Sequence, residues 1–206
     1  WPEFLNRVDN GRDFSTIPGL IYRKDKKVIS NKKGEPFNKS LDELPLPSRH
    51  LLDMSKYKQG TLHGRVNFTS IQTMRGCPWK CIFCASTALN TTNIRMRTAR
   101  SVVDEMKLVV EQYNIRHFMI VDDVLTLYPK HILEICDIII EEGLKITFEG
   151  STRANLIKDP MIAKLKQAGL TRLSFGLETV DSEMRKTMNK KVPLEYYTRA
   201  NKILNK

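Results

Sequence analysis

Asn67-Phe68-Thr69-Ser70-Ile71-Gln72-Thr73-Met74-Arg75-Gly76-Cys77-Pro78-Trp79-Lys80-Cys81-Ile82-Phe83-Cys84 joins a strand pattern directly to a thiol cluster. Phe68, Ser70 and Gln72 alternate with Thr69, Ile71 and Thr73, the period-two pattern of a β-strand over 67–74. Gly76 then permits a sharp turn, and three cysteines follow within eight residues.

Downstream, the period changes to that of helices. Val102, Val103, Met106, Val109, Val110 and Tyr113 recur at three- and four-residue steps and predict a helix over 100–113. A short apolar strand over 117–121 ends at Asp122-Asp123. A second helix over 130–142 places Ile132, Ile135, Cys136 and Ile139 on one face and stops at Gly143. A strand over 145–149, a helix over 160–168, a strand over 171–175 and two short helices, 182–188 and 193–205, complete the pattern. Strand alternating with helix four times predicts a parallel sheet, because each right-handed crossover brings the next strand back parallel to the last. The pattern alone does not separate an open sheet from part of a barrel. Either way the chemistry sits at the carboxyl ends of the strands, in 74–98, 122–127, 150–156 and 176–181.

Upstream, residues 1–66 read as a linker arm and 67–206 as the core. Leu20-Ile21-Tyr22 and Val28-Ile29-Ser30 flank a charged turn and predict a hairpin. Leu44-Pro45-Leu46-Pro47 suits neither a helix interior nor a central strand, and reads as a connection laid over another surface. Trp1 is not an initiator methionine, which points to a processed chain or to an excerpt from a longer protein.

The chain has 206 residues, 41% hydrophobic and 28% charged, which excludes wholesale disorder. No apolar run approaches the roughly 20 residues of a membrane span, and the first residues do not resemble a signal peptide. The net charge of +11 invites a nucleic-acid reading. Its distribution argues against one: residues 67–182 hold 14 basic and 13 acidic side chains, and the excess lies at the two ends. No segment interleaves basic and aromatic residues in a recognition pattern.

Cys77, Cys81 and Cys84 on one tight loop can converge on one centre. An odd number of thiols in a chain with no secretory features argues against disulfides. A structural zinc site requires four ligands. His63 lies fourteen residues upstream and His117 thirty-three downstream, and both read as ordinary surface or core residues. A cubane iron–sulfur cluster fits better, with three thiolates leaving one iron open for a substrate. Arg75 is placed to offset its negative charge, and Phe83 to give it an apolar flank. Cys136, on the apolar face of a helix, reads as a small buried hydrophobe.

At Cys77, Cys81, Phe83 and Cys84 the sequence resembles the radical S-adenosylmethionine (radical SAM) superfamily, whose hallmark is Cys-x3-Cys-x2-Cys with an aromatic residue before the last cysteine. The resemblance implies an α/β fold: a partial TIM-type barrel, about four of six βα units, with Cys77, Cys81 and Cys84 holding a 4Fe-4S cluster. It implies that the cluster's open iron chelates SAM, and that reductive cleavage yields a 5′-deoxyadenosyl radical that takes a hydrogen from substrate. It further places Asp122 or Asp123, Ser151, Arg153 and Glu178 against SAM, the last within Gly176-Leu177-Glu178-Thr179. Three of them have a plainer reading: a helix cap for Asp123, a surface ion pair for Arg153, turn chemistry for Glu178.

The stretch 17–23 and the stretch 41–53, with Arg95-x-Arg97, resemble the cobalamin-associated group that includes the anaerobic magnesium-protoporphyrin ester cyclases. That implies a cobalamin-binding domain upstream, a small-molecule substrate, a reductant such as flavodoxin or ferredoxin, and a cytoplasmic setting for an oxygen-labile cluster. Two other readings remain open here: a methylthiotransferase acting on tRNA or protein, and a non-catalytic iron–sulfur or zinc protein.

Overall fold

The structure is a computed structural model that describes residues 2–11, 13–34, 40–61 and 64–205. It divides into two compact units, with the boundary between residues 38 and 39. Residues 39–66, read from sequence as part of an arm, therefore belong to the same unit as the core.

The first unit contains α1 (Pro2–Asp9) and the hairpin β1 (Ile21–Lys24) and β2 (Lys27–Ser30). Its two turn residues, Asp25 and Lys26, both take positive φ, 48° and 64°. That is the geometry a two-residue turn needs to match the twist of its strands. Asn31 Nδ2 donates to the carbonyls of Phe14 and Ile17 (2.7 and 2.8 Å). The Phe14 ring lies 5.6 Å from Phe4 and 5.8 Å from Tyr22.

The second unit runs β3 (Lys58–Thr61), β4 (Gly64–Ile71), β5 (Met74–Arg75), α2 (Ser86–Asn90), β6 (Arg95–Met96) and α3 (Ala99–Tyr113). It continues with β7 (His117–Ile120), α4 (Pro129–Glu141), β8 (Thr147–Thr152), α5 (Asp159–Ala168), β9 (Leu170–Phe175), α6 (Ser182–Thr187) and α7 (Leu194–Leu204). The main sheet has the order β3-β4-β7-β8-β9. β4, β7, β8 and β9 are parallel, as the alternation requires, and β3 adds an antiparallel edge. The parallel strands follow chain order with no reversal. An open doubly wound sheet has a switch point where the order reverses, whereas strands wound one way curl toward a barrel. The sheet is a half-barrel, which resolves what the sequence left open.

The core lies between the sheet and its helices. Val102, Met106, Ile132, Ile135 and Leu165 of α3, α4 and α5 are fully buried in one cluster with Phe118, Ile120 and Phe148 of the sheet. α3 starts on a Thr98 cap, whose hydroxyl accepts from Ser101 N–H, and stops at Asn114 in the left-handed region. No described helix is long and apolar enough to cross a membrane.

Two segments differ from expectation. The third core strand begins at Thr147 and extends to Thr152. Gly150, Ser151 and Thr152, polar enough to read as loop, are held in the sheet by register with Leu173, Ser174 and Phe175. The Leu-Pro-Leu-Pro segment is neither helix nor strand, as its prolines require, but its flanks are secured by charge as well as apolar contact. Glu105 on α3 is buried, with Arg49 Nη2 2.7 Å from one oxygen and Arg97 Nη1 bonded to the other. Arg49 also donates from Nε to Thr69 Oγ1 (3.1 Å) and from Nη2 to the Ser70 carbonyl (2.9 Å). Asp42 accepts the Thr98 N–H at 2.9 Å. A buried carboxylate is tolerable only with such pairing, so these guanidiniums tie 41–53 to the core.

Candidate functional site

The first parallel strand does not run to Met74. β4 ends at Ile71, and the chain is diverted by a carboxylate from the next strand end. Asp122 Oδ1 accepts the backbone N–H of Thr73 (2.7 Å) and of Met74 (3.0 Å), and Oδ2 accepts the Thr73 hydroxyl. Asp122 is buried; burial raises its carboxyl to about 6, opposed by the Thr73 and Met74 donors. Both of its oxygens are engaged by the protein itself, which makes Asp122 a clamp between two strand ends.

Turned out of the sheet, β5 pairs antiparallel with β6 and closes a loop that holds the three cysteines and α2. Gly76 opens it at φ 106°, and a Cβ there would lie 2.4 Å from the Asn93 carbonyl oxygen, so the sharp turn requires glycine. Asp123 Oδ2 accepts from Gly76 N–H (3.3 Å) and Asn90 Nδ2 (3.2 Å), joining the beginning of the loop to the end of α2. Cys77 N–H donates to the Thr91 carbonyl (3.3 Å), and Cys84 N–H to the Cys81 carbonyl (3.2 Å).

All three thiols are free: Cys77 is buried, Cys81 partly so, and Cys84 exposed. Burial pushes the Cys77 thiol up, with Asp123 and Cys84 adding to the shift, while the Trp79 backbone N–H and Arg153 oppose it. Arg153 follows β8. Its Nη1 lies 3.7 Å from Cys81 Sγ, and its guanidinium sits 4.2 Å from the Trp79 ring centroid. Arg153 thus lies against the thiol loop, on Cys81 and Trp79. Arg75, expected to offset charge at the thiols, donates from Nε to Gln72 Oε1 at 2.5 Å.

Glu178 takes φ 65°, and its Oε1 accepts from Lys190 Nζ at 2.8 Å. A Cβ on Gly176 would lie 2.1 Å from that oxygen, so glycine lets the glutamate fold back. The Lys190 ammonium is also 5.6 Å from the Phe83 ring centroid. Phe83 remains exposed. Ser151 is exposed on β8, two residues before Arg153, and its carbonyl accepts Leu125 N–H (2.8 Å).

His63 lies outside the described residues. His117 is buried at the amino end of β7, with Nδ1 2.8 Å from Thr147 Oγ1. Cys136 is buried in α4, and burial pushes its thiol up to about 12. The sequence reading missed Asn90, Asn189 and Lys190. Lys190 lies in a lysine-rich run that reads as solvated surface, and its burial beside Glu178 and Phe83 shows otherwise.

Among the described residues, no three His, Cys, Asp or Glu side chains close around a single ion. A cubane makes a different demand, because each thiolate meets its own iron at its own corner. The donor set suits one: three thiols on one loop, no acid or imidazole among residues 77–85, and a guanidinium on Cys81 to balance anionic sulfur.

The sequence profile of the radical SAM superfamily matches residues 71–206. The chain belongs to this superfamily. Membership implies a 4Fe-4S cluster and SAM. An uncharacterized methyltransferase of Pyrococcus horikoshii is 31% identical over 188 residues, covering 91% of this chain and 40% of its own length. The anaerobic magnesium-protoporphyrin IX monomethyl ester cyclase of Rubrivivax gelatinosus is 29% identical, covering 97% of this chain and 36% of its own length. The chain therefore spans well under half the length of these curated relatives. Among solved structures, the cobalamin-dependent SAM radical enzyme OxsB, with aqua-cobalamin and SAM bound, superposes on 98% of this chain at TM-score 0.76 and 18% identity, over 30% of its own chain. The radical SAM methyltransferase TsrM of Kitasatospora setae, bound to tryptophan and a SAM analogue, covers 98% of this chain at TM-score 0.71 and 19% identity, over 41% of its own. At such identity these two structures speak to the fold alone, a partial radical SAM barrel.

Proposed function

We propose that the protein carries out the first half of a cobalamin-associated radical SAM methylation or cyclisation on a small molecule. The observation that carries this is the thiol loop at the carboxyl end of β4, with Arg153 from the end of β8 on Cys81 Sγ.

In this reading Cys77, Cys81 and Cys84 hold the 4Fe-4S cluster. Bound there, cluster and SAM supply one-electron cleavage of the sulfonium carbon–sulfur bond. The chain's own residues set the stage. Arg153 neutralises anionic sulfur at Cys81 and is fixed by stacking on Trp79. Asp123 holds Gly76 and so the entry to the loop. Glu178, folded back over Gly176, presents a carboxylate at the end of β9 for polar groups of SAM. Ser151 lies on the strand that delivers Arg153. Asp122 acts through the backbone of Thr73 and Met74 rather than on SAM. Phe83, exposed between Cys81 and Cys84, gives the cofactor an apolar wall.

The proposal extends to a cobalamin-binding domain outside these residues, with 1–66 leading to it although its part from residue 39 on belongs to the core unit, and to a flavodoxin or ferredoxin as electron donor. The relatives named above support methyl transfer or ring closure. The methylthiotransferase and electron-transfer alternatives gain nothing from them. Anaerobic reconstitution with iron and sulfide tests the reading. Uptake of about four irons per chain and dithionite-dependent release of 5′-deoxyadenosine from SAM are expected. A bound cluster whose paramagnetic resonance spectrum ignores SAM would end it.

A further inference from the structure

The turn at 188–190 meets the thiol loop at four points, none announced by a motif. Ile82 N–H donates to the Met188 carbonyl at 3.2 Å. Asn189 Nδ2 donates to the Lys80 carbonyl at 2.8 Å, and the Asn189 carbonyl oxygen lies 3.8 Å from Cys81 Sγ. Lys190 Nζ lies 5.6 Å from the Phe83 ring centroid. The first three contacts bracket Cys81, and the fourth reaches the residue before Cys84.

The turn is itself anchored. Asn189 takes φ 54°, a conformation asparagine tolerates better than most residues. Arg185, buried in α6, donates from Nη1 to the carbonyls of Thr179 (3.2 Å) and Val180 (2.8 Å), and its own carbonyl accepts Lys190 N–H (3.0 Å). The Lys190 side chain is 9% exposed and its Glu178 partner 35%, so water screens the negative end of this pair more than the positive end.

We propose that Asn189 and Lys190 are positioning residues for the cluster, a role that rests on Cys77, Cys81 and Cys84 holding it. Asn189 fixes the Lys80–Ile82 backbone that aims Cys81. Lys190 supplies a buried positive charge beside Phe83. Reduction adds a negative charge to a cluster already carrying thiolates, and a fixed, buried ammonium, offset only in part by the more exposed Glu178 carboxylate, favours the reduced state. Lys190 therefore raises the reduction potential.

The test uses the full-length protein, reconstituted anaerobically, without SAM. A redox titration followed by electron paramagnetic resonance compares wild type with Lys190→Met, Lys190→Arg and Lys191→Met. Lys191 is exposed and removes the same formal charge one residue away. The midpoint should move negative in Lys190→Met and stay at the wild-type value in Lys190→Arg and Lys191→Met. Lys190→Gln carries the same comparison where the methionine variant fails to fold. Asn189→Gly keeps the left-handed backbone but loses the bond to Lys80. It should release iron to a chelator about 10–100-fold faster, with an unchanged melting temperature. A Lys190→Met midpoint equal to that of Lys191→Met overturns the charge role, and wild-type iron release from Asn189→Gly overturns the brace. Should wild type bind no iron, the functional reading falls and takes this one with it. Should wild type bind a cluster and cleave SAM while the variants match it, this inference alone falls.

Discussion

The helix-backed sheet and the thiol loop are held by opposite kinds of force. Between β7, β8 and their helices, Phe118, Phe148, Ile132 and Leu165 are fully buried, and the area removed from water does most of the work. The loop over 76–93 is apolar on the wrong side: Ile82 and Leu89 are 70% and 78% exposed. It is fastened instead by directed polar ties to distant segments, at Asp123, Arg153, Asn189 and Lys190. The scaffold is specified by periodic sequence and tolerates local change. The loop depends on a few bonds, each made to one particular partner.

Four substitutions sharpen or break that contrast. Cys81→Ala has the largest expected effect: complete loss of assembled cluster by iron analysis, with secondary structure by circular dichroism unchanged. If the sheet melted as well, loop and scaffold would be one cooperative unit. Phe148→Ala attacks the scaffold and should cost about 3–5 kcal/mol in urea unfolding, while the variant still takes up iron below its transition.

Asp122→Asn probes the joint between the two regions. A folded carboxyl raised to about 6 from an ordinary 3.8 binds more protons than the unfolded chain between those values. Its contribution to stability is therefore full below about pH 4 and is lost as pH rises through about 6. Asparagine can accept from Thr73 and Met74 and donate to the Thr73 hydroxyl, so the clamp survives without the charge. The variant should be more stable than wild type at pH 7.5, by on the order of 1–3 kcal/mol, and equal to it near pH 4. Parallel urea midpoints for the two proteins across that range would sink this account. Cys136→Ala, in the apolar layer, is the smallest: about 1 kcal/mol of stability and no change in iron content. A change in iron content would mean that the fourth cysteine communicates with the loop.

Where the sequence reading failed, the failures share a cause. The strand over 67–74 alternates throughout, yet the pattern cannot show that Asp122, about fifty residues on, captures the N–H groups of Thr73 and Met74. Gly150-Ser151-Thr152 reads as loop because its strand partner, β9, lies some twenty residues away. Arg75 stands beside the thiols in sequence, but Arg153 stands beside Cys81 in space. Asn189 and Lys190 look like solvated tail until Lys80 and Glu178 are seen opposite them.

The sequence by itself determined the βα order, the three thiols on the turn after the first core strand, the glycine that turn demands and the superfamily they resemble. These follow from period, spacing and local backbone geometry, which act over a few residues. Only the tertiary structure decided that the sheet winds one way, that Asp122 is a clamp while Asp123 holds the loop, and that Arg153 stands at Cys81 and Lys190 at Phe83. Those outcomes depend on groups separated by tens of residues, brought together by burial of the apolar layer and not by any pattern in the chain.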